Sequence, residues 1–476
     1  MGSESGTAGV YLVPAIQSQQ QTTSTLTVNH ECLLEGTTAG AMAVIRKRLT
    51  IDNPKYVDAV KYGRWVGKRL KPKLTFYRQS KQGVRFPRGF ANEAVRLVRR
   101  HDGVPPAVID KRKRCPAVDF HFQAELRPYQ QEAVEAVMDR QFGVLESGTG
   151  SGKTVMALAI IAGRQQPTLI IVHNKELLYQ WQERIRQFLA IEPGLIGDGH
   201  FDIAPVSVAI VNTARKRLAE LTDHFGQICV DECHRVPASL FTDVVTAFDC
   251  LYMLGLSATA FRRDGMSQLI YIFLGDLVHR VDKDELTAMG AVLKPELIQR
   301  PTAFRFRFRD NYQDLLKALT TDEQRNRQIV DDVVAQSHSS EGGILVVSDR
   351  VAHCDLLAEM LAERGVQCKV LTGRTASEER SATVEEVHRG EVRILISTLQ
   401  LIGEGFDCPG LASLFLTTPI KFSGRLLQVV GRILRPSPGK KAMVFDYVDE
   451  QVGVLSRSAE TRRQSLGGPP GALPFT

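Results

Sequence analysis

The stretch "ESGTGSGKT" at residues 146–154 constrains this chain more than any other. The apolar "FGVL" precedes it and "VMALAIIAG" follows, so it reads as strand, glycine-rich loop and helix in succession. Glycines in such a loop let backbone N–H groups wrap bound phosphates at a helix N-terminus. Ser147, Gly148, Thr149, Gly150, Ser151 and Gly152 are expected to form the cradle. Lys153 would reach the β- and γ-phosphates, and Thr154 would hold Mg²⁺. Ser147 stands where G-x-x-x-x-G-K-[ST] has its first glycine, and a side chain that small still permits the turn.

A phosphate loop requires a carboxylate at the end of a neighbouring strand. "ICVDECHRVP" at 228–237 supplies one, but it has two readings. Cys229, Cys233 and His234 offer three of the four ligands that a structural zinc needs, at a spacing atypical of zinc knuckles. None of the eight cysteines forms a Cys-x-x-Cys pair. The acidic reading is more economical: Asp231 holds the Mg²⁺ shell and Glu232 orients or deprotonates the attacking water. Cys229 is then a buried strand residue, Cys233 a small filler and His234 a polar group beside the nucleotide.

From about residue 120, short β-branched runs alternate with helical stretches: "FGVLES", "TLIIVH", "VSVAIV", "QICVDE", "YMLGLSAT". A second series follows at "GILVVSD", "CKVLTG", "VRILIST", "SLFLTT" and "AMVFDY". The pattern predicts an α/β chain with two tandem parallel-sheet domains, over 116–282 and 283–455. Residues 30–115 read as a small basic α+β domain, with a hairpin of "LTFYRQ" and "VRFP" about Ser80–Gly83 and an amphipathic helix after it. Residues 1–29 and 456–476 read as flexible ends.

Charge is unevenly placed. Residues 41–115 hold 21 Lys and Arg against 5 Asp and Glu, so this segment carries +16 and the rest of the chain −9. A polyanion is the natural partner of such a segment, so residues 30–115 are expected to be a DNA-binding domain, with an ordinary solvated surface as the alternative. The acids near it, Asp52, Asp58, Glu93, Asp102 and Asp110, form no nuclease-like cluster. No apolar run approaches the roughly 18 residues of a membrane span, and the N-terminus lacks a secretory pattern. The expectation is a cytoplasmic monomer in a reducing compartment, nucleoid-associated if the source is bacterial, with no membrane partner.

Asp-Glu-Cys-His after a phosphate loop resembles motif II of superfamily 2 helicases and translocases, and the other motifs follow in order. "LRPYQQEAV" (126–134) resembles the Q-motif, "VHNKELLYQW" sits at motif Ia and "LSAT" (256–259) matches motif III. "ILVVSDR", "ISTLQLIGEGFD" (396–407) and "QVVGRILRP" (428–436) resemble motifs IV, V and VI. The match covers about 125–450 and implies two RecA-like domains that use ATP and Mg²⁺. It implies that Gln130, with Arg127, faces the adenine and that Gly405 and Asp407 lie near the nucleotide ribose. Arg432 and Arg435 would be arginine fingers from the second domain. His234, Ser257, Ala258, Thr259 and Gln428 would couple the nucleotide site to the nucleic-acid groove. Thr213, Thr372 and Thr398 would meet nucleic-acid phosphates.

Within the superfamily, "LRPYQ", "LLYQW", "GLSATAFRRDG" and "EGFDCP" are similar to the XPB group and its bacterial and phage relatives. The resemblance implies an ATP-dependent DNA helicase, with a role in DNA repair among those open to it. Arg262-Arg263-Asp264 departs from the Arg-Glu-Asp of that group, so a duplex translocase that does not separate strands is the alternative. An RNA helicase fits less well, because motif Ia lacks Pro-Thr-Arg-Glu-Leu and Gln428 stands where a histidine would. A DNA-binding scaffold with weak ATPase is disfavoured by the full set Lys153, Asp231, Glu232, Arg432 and Arg435.

Three other features have local readings. "FRFRFR" (304–309) has the period of an amphipathic strand. Trp181 shares a helix face with Leu177, Leu178, Ile185 and Phe188, which places it in the core. "KRKR" (111–114) reads as a linker with incidental phosphate contact.

Overall fold

The computed structural model describes residues 24–61, 63, 65–67, 70–148, 150–234, 238–258, 266–289, 293, 295–309, 311–339, 342–402, 410–420, 429–431 and 440–466. The chain divides into two compact units with a boundary between Asp282 and Lys283.

The first unit contains an eight-stranded sheet. Its order is His200–Phe201, Gly194–Gly197, Val206–Ile210, Thr168–Val172, Gln227–Val230, Tyr252–Ser257, Phe142–Glu146 and Leu277–Arg280. All neighbours are parallel except the short edge strand His200–Phe201. The central strands Thr168–Val172 and Gln227–Val230 are buried along their whole length, as a sheet covered on both faces requires. Tyr252–Ser257 lies between the strand that leads into the phosphate loop and the strand that ends at Asp231. The second unit repeats the theme with six parallel strands, in the order Glu296–Pro301, Met443–Val448, Leu411–Leu416, Gly343–Ser348, Ile394–Thr398, Lys369–Leu371. Both strand series expected from the sequence are present.

Ahead of the large sheet, a five-stranded sheet runs Arg78–Gln79, Gly83–Pro87, Glu31–Glu35, Thr25–Val28, Ala107–Asp110. The hairpin about Ser80–Gly83 forms, with Arg78 opposite Arg85, but only from Arg78 onward. Lys73–Thr75 pairs instead with Thr50–Asp52. The helix Ala91–Asp102 buries Ala94, Val95, Leu97 and Val98, and Gly103 closes it in the left-handed conformation that glycine adopts readily.

Four sequence expectations need correction. Residues 25–28 are not part of a flexible end. Thr25–Val28 is an inner strand, and the alternation that buries Leu26 and Val28 is hidden in a Thr-rich composition. Nor is the stretch after Ser456 irregular, because Gly453–Ser465 is a helix. Its Arg462 Nε donates to the buried Asp446 Oδ1 at 2.8 Å, a polar anchor with no hydrophobic signature. "FRFRFR" forms no strand: Phe304 is buried and stacks on Phe306, while Phe308 is 37% exposed.

The run 111–114 is structural, not a linker. Lys113 bridges to Cys250, and its Nζ lies 2.7 Å from Asp223. The Arg112 guanidinium is inaccessible, bonded to Asp110 and Gln141 and placed over the Phe142 ring. The basic segment therefore shares one continuous core with the large sheet.

Candidate nucleotide site

The phosphate loop leaves the sheet after Glu146, and the helix Lys153–Arg164 begins directly behind it. Gly150 and Gly152 have φ of 88° and 85°, values that a side chain would strain. A Cβ on Gly152 would lie 2.4 Å from Gln130 Nε2, so the loop packs directly on the glutamine assigned to the adenine. Gln130 is buried, and its Oε1 accepts from the Arg127 N–H at 3.0 Å, which holds the start of the helix Pro128–Met138. Ser147 N donates to Ser257 O at 2.9 Å, tying the loop to the central strand.

Lys153 Nζ donates to Ser147 O at 3.1 Å and lies 3.9 Å from Glu232 Oε1. Thr154 follows it in the first helical turn and is half-buried. Asp231 is 6% exposed, and its Oδ1 accepts from the Glu232 N–H at 2.8 Å. Glu232 has φ of 44°, the left-handed region rare for a residue with a side chain. This turn brings its carboxylate to Lys153 and also to His234 Nδ1, at 3.3 Å. His234 Nδ1 lies 3.0 Å from Ser257 Oγ. Acid motif, central strand and phosphate loop thus form one connected set at the carboxyl ends of three adjacent strands, where open parallel sheets bind ligands.

Burial raises the Asp231 pKa above the ordinary range, and the neighbouring Glu232 charge raises it further. The Trp181 N–H, Lys153 and the Glu232 N–H oppose this. Two adjacent carboxylates with one ammonium lack positive charge. Together with the Thr154 hydroxyl, they suit a hard divalent cation that brings oxygen-bound phosphate.

Cys229 and Cys233 are fully buried, and burial raises the Cys229 thiol pKa well above the ordinary value. Among the described residues, no group of three or more His, Cys, Asp or Glu is arranged to hold a metal ion.

Ala258 ends the described part of motif III, half-buried beside Ser257. Thr213 lies half-buried in the helix Val211–Lys216. In the second unit Leu371 pairs with Ser397, so Thr372 and Thr398 leave the sheet at one level on neighbouring strands, both buried. Thr149, Thr259, Gly405, Asp407, Gln428, Arg432 and Arg435 lie outside the described residues.

One residue of the site escaped the sequence motifs. Trp181 is buried in the core as expected, but its Nε1–H donates to Asp231 Oδ2 at 2.9 Å. Asn174, accepting from Leu177 N, caps the helix that carries it. The sequence held a signal for this role, since a buried indole N–H needs an acceptor. Trp181→Phe should keep the ring packing and lose the bond. A hydrogen bond to a charged acceptor contributes about 1.5–3 kcal/mol to stability, and with Asp231 no longer oriented by it, kcat should fall. The melting temperature should move by only a few degrees. Calorimetry and steady-state ATP turnover on the same preparation check this; an equal loss of fold and activity would make the bond purely structural.

Residues 123–262 match the family model described as the type III restriction enzyme res subunit, and residues 325–437 match the helicase conserved C-terminal domain. The DNA 3'-5' translocase XPB2 of Sulfurisphaera tokodaii is 28% identical over 360 residues, 68% of this chain and 81% of the relative. The helicase D10 of Escherichia phage T5 is 26% identical, over 71% of this chain and 74% of its own. The DNA 3'-5' helicase XPB of Kineococcus radiotolerans is 28% identical, over 65% of this chain and 57% of its own. Among solved structures, S. cerevisiae Dbp5 bound to RNA and ADP BeF3 superposes with a TM-score of 0.52 at 15% identity, over 72% of this chain and 88% of that one. It shares the fold.

Proposed function

Because the chain belongs to the XPB-like group of superfamily 2, a family of ATP-hydrolysing helicases, we propose that it is a motor that couples ATP hydrolysis to movement along DNA and to strand separation. The observation that carries the reading is the His234–Ser257 contact of 3.0 Å, which joins the acidic motif to the strand whose end continues into the rest of motif III. A change at the phosphates therefore has a short path out of the nucleotide site. DNA as the track is supported by the names of the two XPB relatives and by the +16 segment.

In this mechanism the loop N–H groups and Lys153 bind the phosphates, and Trp181 orients Asp231. Glu232 takes a proton from the attacking water or aligns it. Mg²⁺, when held by Asp231 and Thr154, would polarise the phosphate oxygens. Arg432 and Arg435 would bring positive charge to the γ-phosphate in the transition state, an effect of about 10³–10⁵ in rate for GTPases.

ATP turnover measured with DNA, with RNA and with neither tests the track, and DNA is expected to stimulate it. Stimulation by RNA alone would overturn the DNA reading. Displacement of a forked duplex tests strand separation. Displacement of a triplex strand without forked-duplex opening would select the second reading, translocation alone, which Arg262-Arg263-Asp264 favours.

A further inference from the structure

Among the described residues, eight large apolar side chains are exposed, and three of them, Val57, Val60 and Trp65, fall within nine positions of the basic segment. Trp65 is 90% exposed. Such clustering is not the scatter expected of ordinary surface hydrophobics.

The ring is also propped. The indole lies over the Gly67 backbone, where an added Cβ would come within 2.9 Å of the ring. The ends of the loop are tied down by the buried Asn53, whose backbone N–H donates to Pro72 O and whose side-chain amide donates to Lys71 O, both at 2.8 Å. Leu70 N donates to Gly67 O at 3.0 Å. Residues 55–73 hold seven Lys and Arg against Asp58 alone. A flat apolar face held in water within a basic segment suits a flat apolar ligand joined to phosphates.

We propose that Trp65 is a stacking platform for an unpaired nucleobase of single-stranded or forked DNA, with lysines such as Lys71 and Lys73 holding the flanking phosphates. An exposed aromatic can stack on any base because every base has a π-face. Bases inside an intact duplex are already stacked, so the platform distinguishes open from closed DNA. The inference rests on the DNA reading and assigns where the separated strand is held.

The chain has two tryptophans, and Trp181 is buried at the nucleotide site, so the part of a DNA-dependent change in indole emission that Trp65→Phe removes reports Trp65. With the full chain, oligo(dT) should quench the emission, and Trp65→Phe should abolish that change. Trp65→Ala should weaken oligo(dT) binding about five- to a hundredfold, read by anisotropy of labelled oligonucleotide. Its affinity for blunt duplex should change less than about twofold, and its melting temperature should stay near that of the parent chain. Unchanged oligo(dT) affinity in Trp65→Ala would overturn the inference. Equal losses on single strand and duplex would overturn it too. If the parent chain binds neither DNA, the DNA reading fails and the inference falls with it.

Discussion

Glu232→Gln is expected to bind ATP and leave it uncleaved, and Lys153→Ala is expected to hydrolyse none. The two residues face each other across 3.9 Å, yet their tasks differ. The Lys153 ammonium is needed whenever phosphates are bound, so its loss removes ground-state and transition-state attraction together. Glu232 is needed only when water attacks. Glutamine keeps the size of the side chain and its reach toward His234 but cannot accept a proton, and general-base assistance is worth about 10²–10⁴ in rate. The left-handed turn at residue 232 is made by the backbone, with its N–H bound to Asp231 Oδ1 at 2.8 Å, so glutamine inherits the same placement. Single-turnover hydrolysis beside equilibrium binding of a fluorescent nucleotide separates the two outcomes. Undiminished turnover in Glu232→Gln would remove it from water activation, and loss of nucleotide binding in that variant would make it a ground-state ligand.

What the sequence disclosed depended on whether the signal was local. The phosphate loop was legible because its strand, glycines and helix lie within about twenty consecutive residues, and the acidic motif because its carboxylates end an apolar strand. Both parallel sheets followed from β-branched runs alternating with helices. The Trp181–Asp231 bond was not legible, since it joins residues 50 apart whose meeting depends on which strands become neighbours. Thr25–Val28 and Gly453–Ser465 were hidden for opposite reasons. The strand has a clean alternation under a polar composition, whereas the helix is fixed by a buried arginine that hydropathy counts as surface. The basic run at 111–114 misled in the same way, because charge predicted solvent where the Arg112 guanidinium is buried against the Asp110 carboxylate and the Leu251 carbonyl.

That last difference reverses an expectation about truncation. From charge alone, removing residues 1–115 should detach a DNA anchor and leave an intact ATPase, provided the truncated core folds. The structure instead predicts that the first unit fails to fold. Arg88 is 2% exposed and donates to Cys250 O at 2.5 Å, and a Cβ on the next residue, Gly89, would strike the backbone of Phe273 at 2.5 Å. Phe76 meets Phe273 edge to face at 5.9 Å, and Arg96 pairs with Asp276. Ile272, Phe273, Cys250 and Met253 would all be uncovered by truncation. At about 1.5–3 kcal/mol for each large apolar side chain exposed, the penalty approaches the roughly 5–15 kcal/mol that holds a domain together. The truncated chain should be insoluble or melt far below the parent, with its ATPase gone. A soluble, cooperatively folded truncation that still hydrolyses ATP would show this interface to be dispensable. The DNA question then needs substitutions that leave the interface alone. Lys71 and Lys73 are exposed, and replacing both with alanine should flatten log K against log[salt] on duplex DNA by about 0.9 for each phosphate that is no longer neutralised. Parallel lines for parent and variant would mean that these lysines touch no phosphate, and the anchor would have to be sought elsewhere on the basic segment.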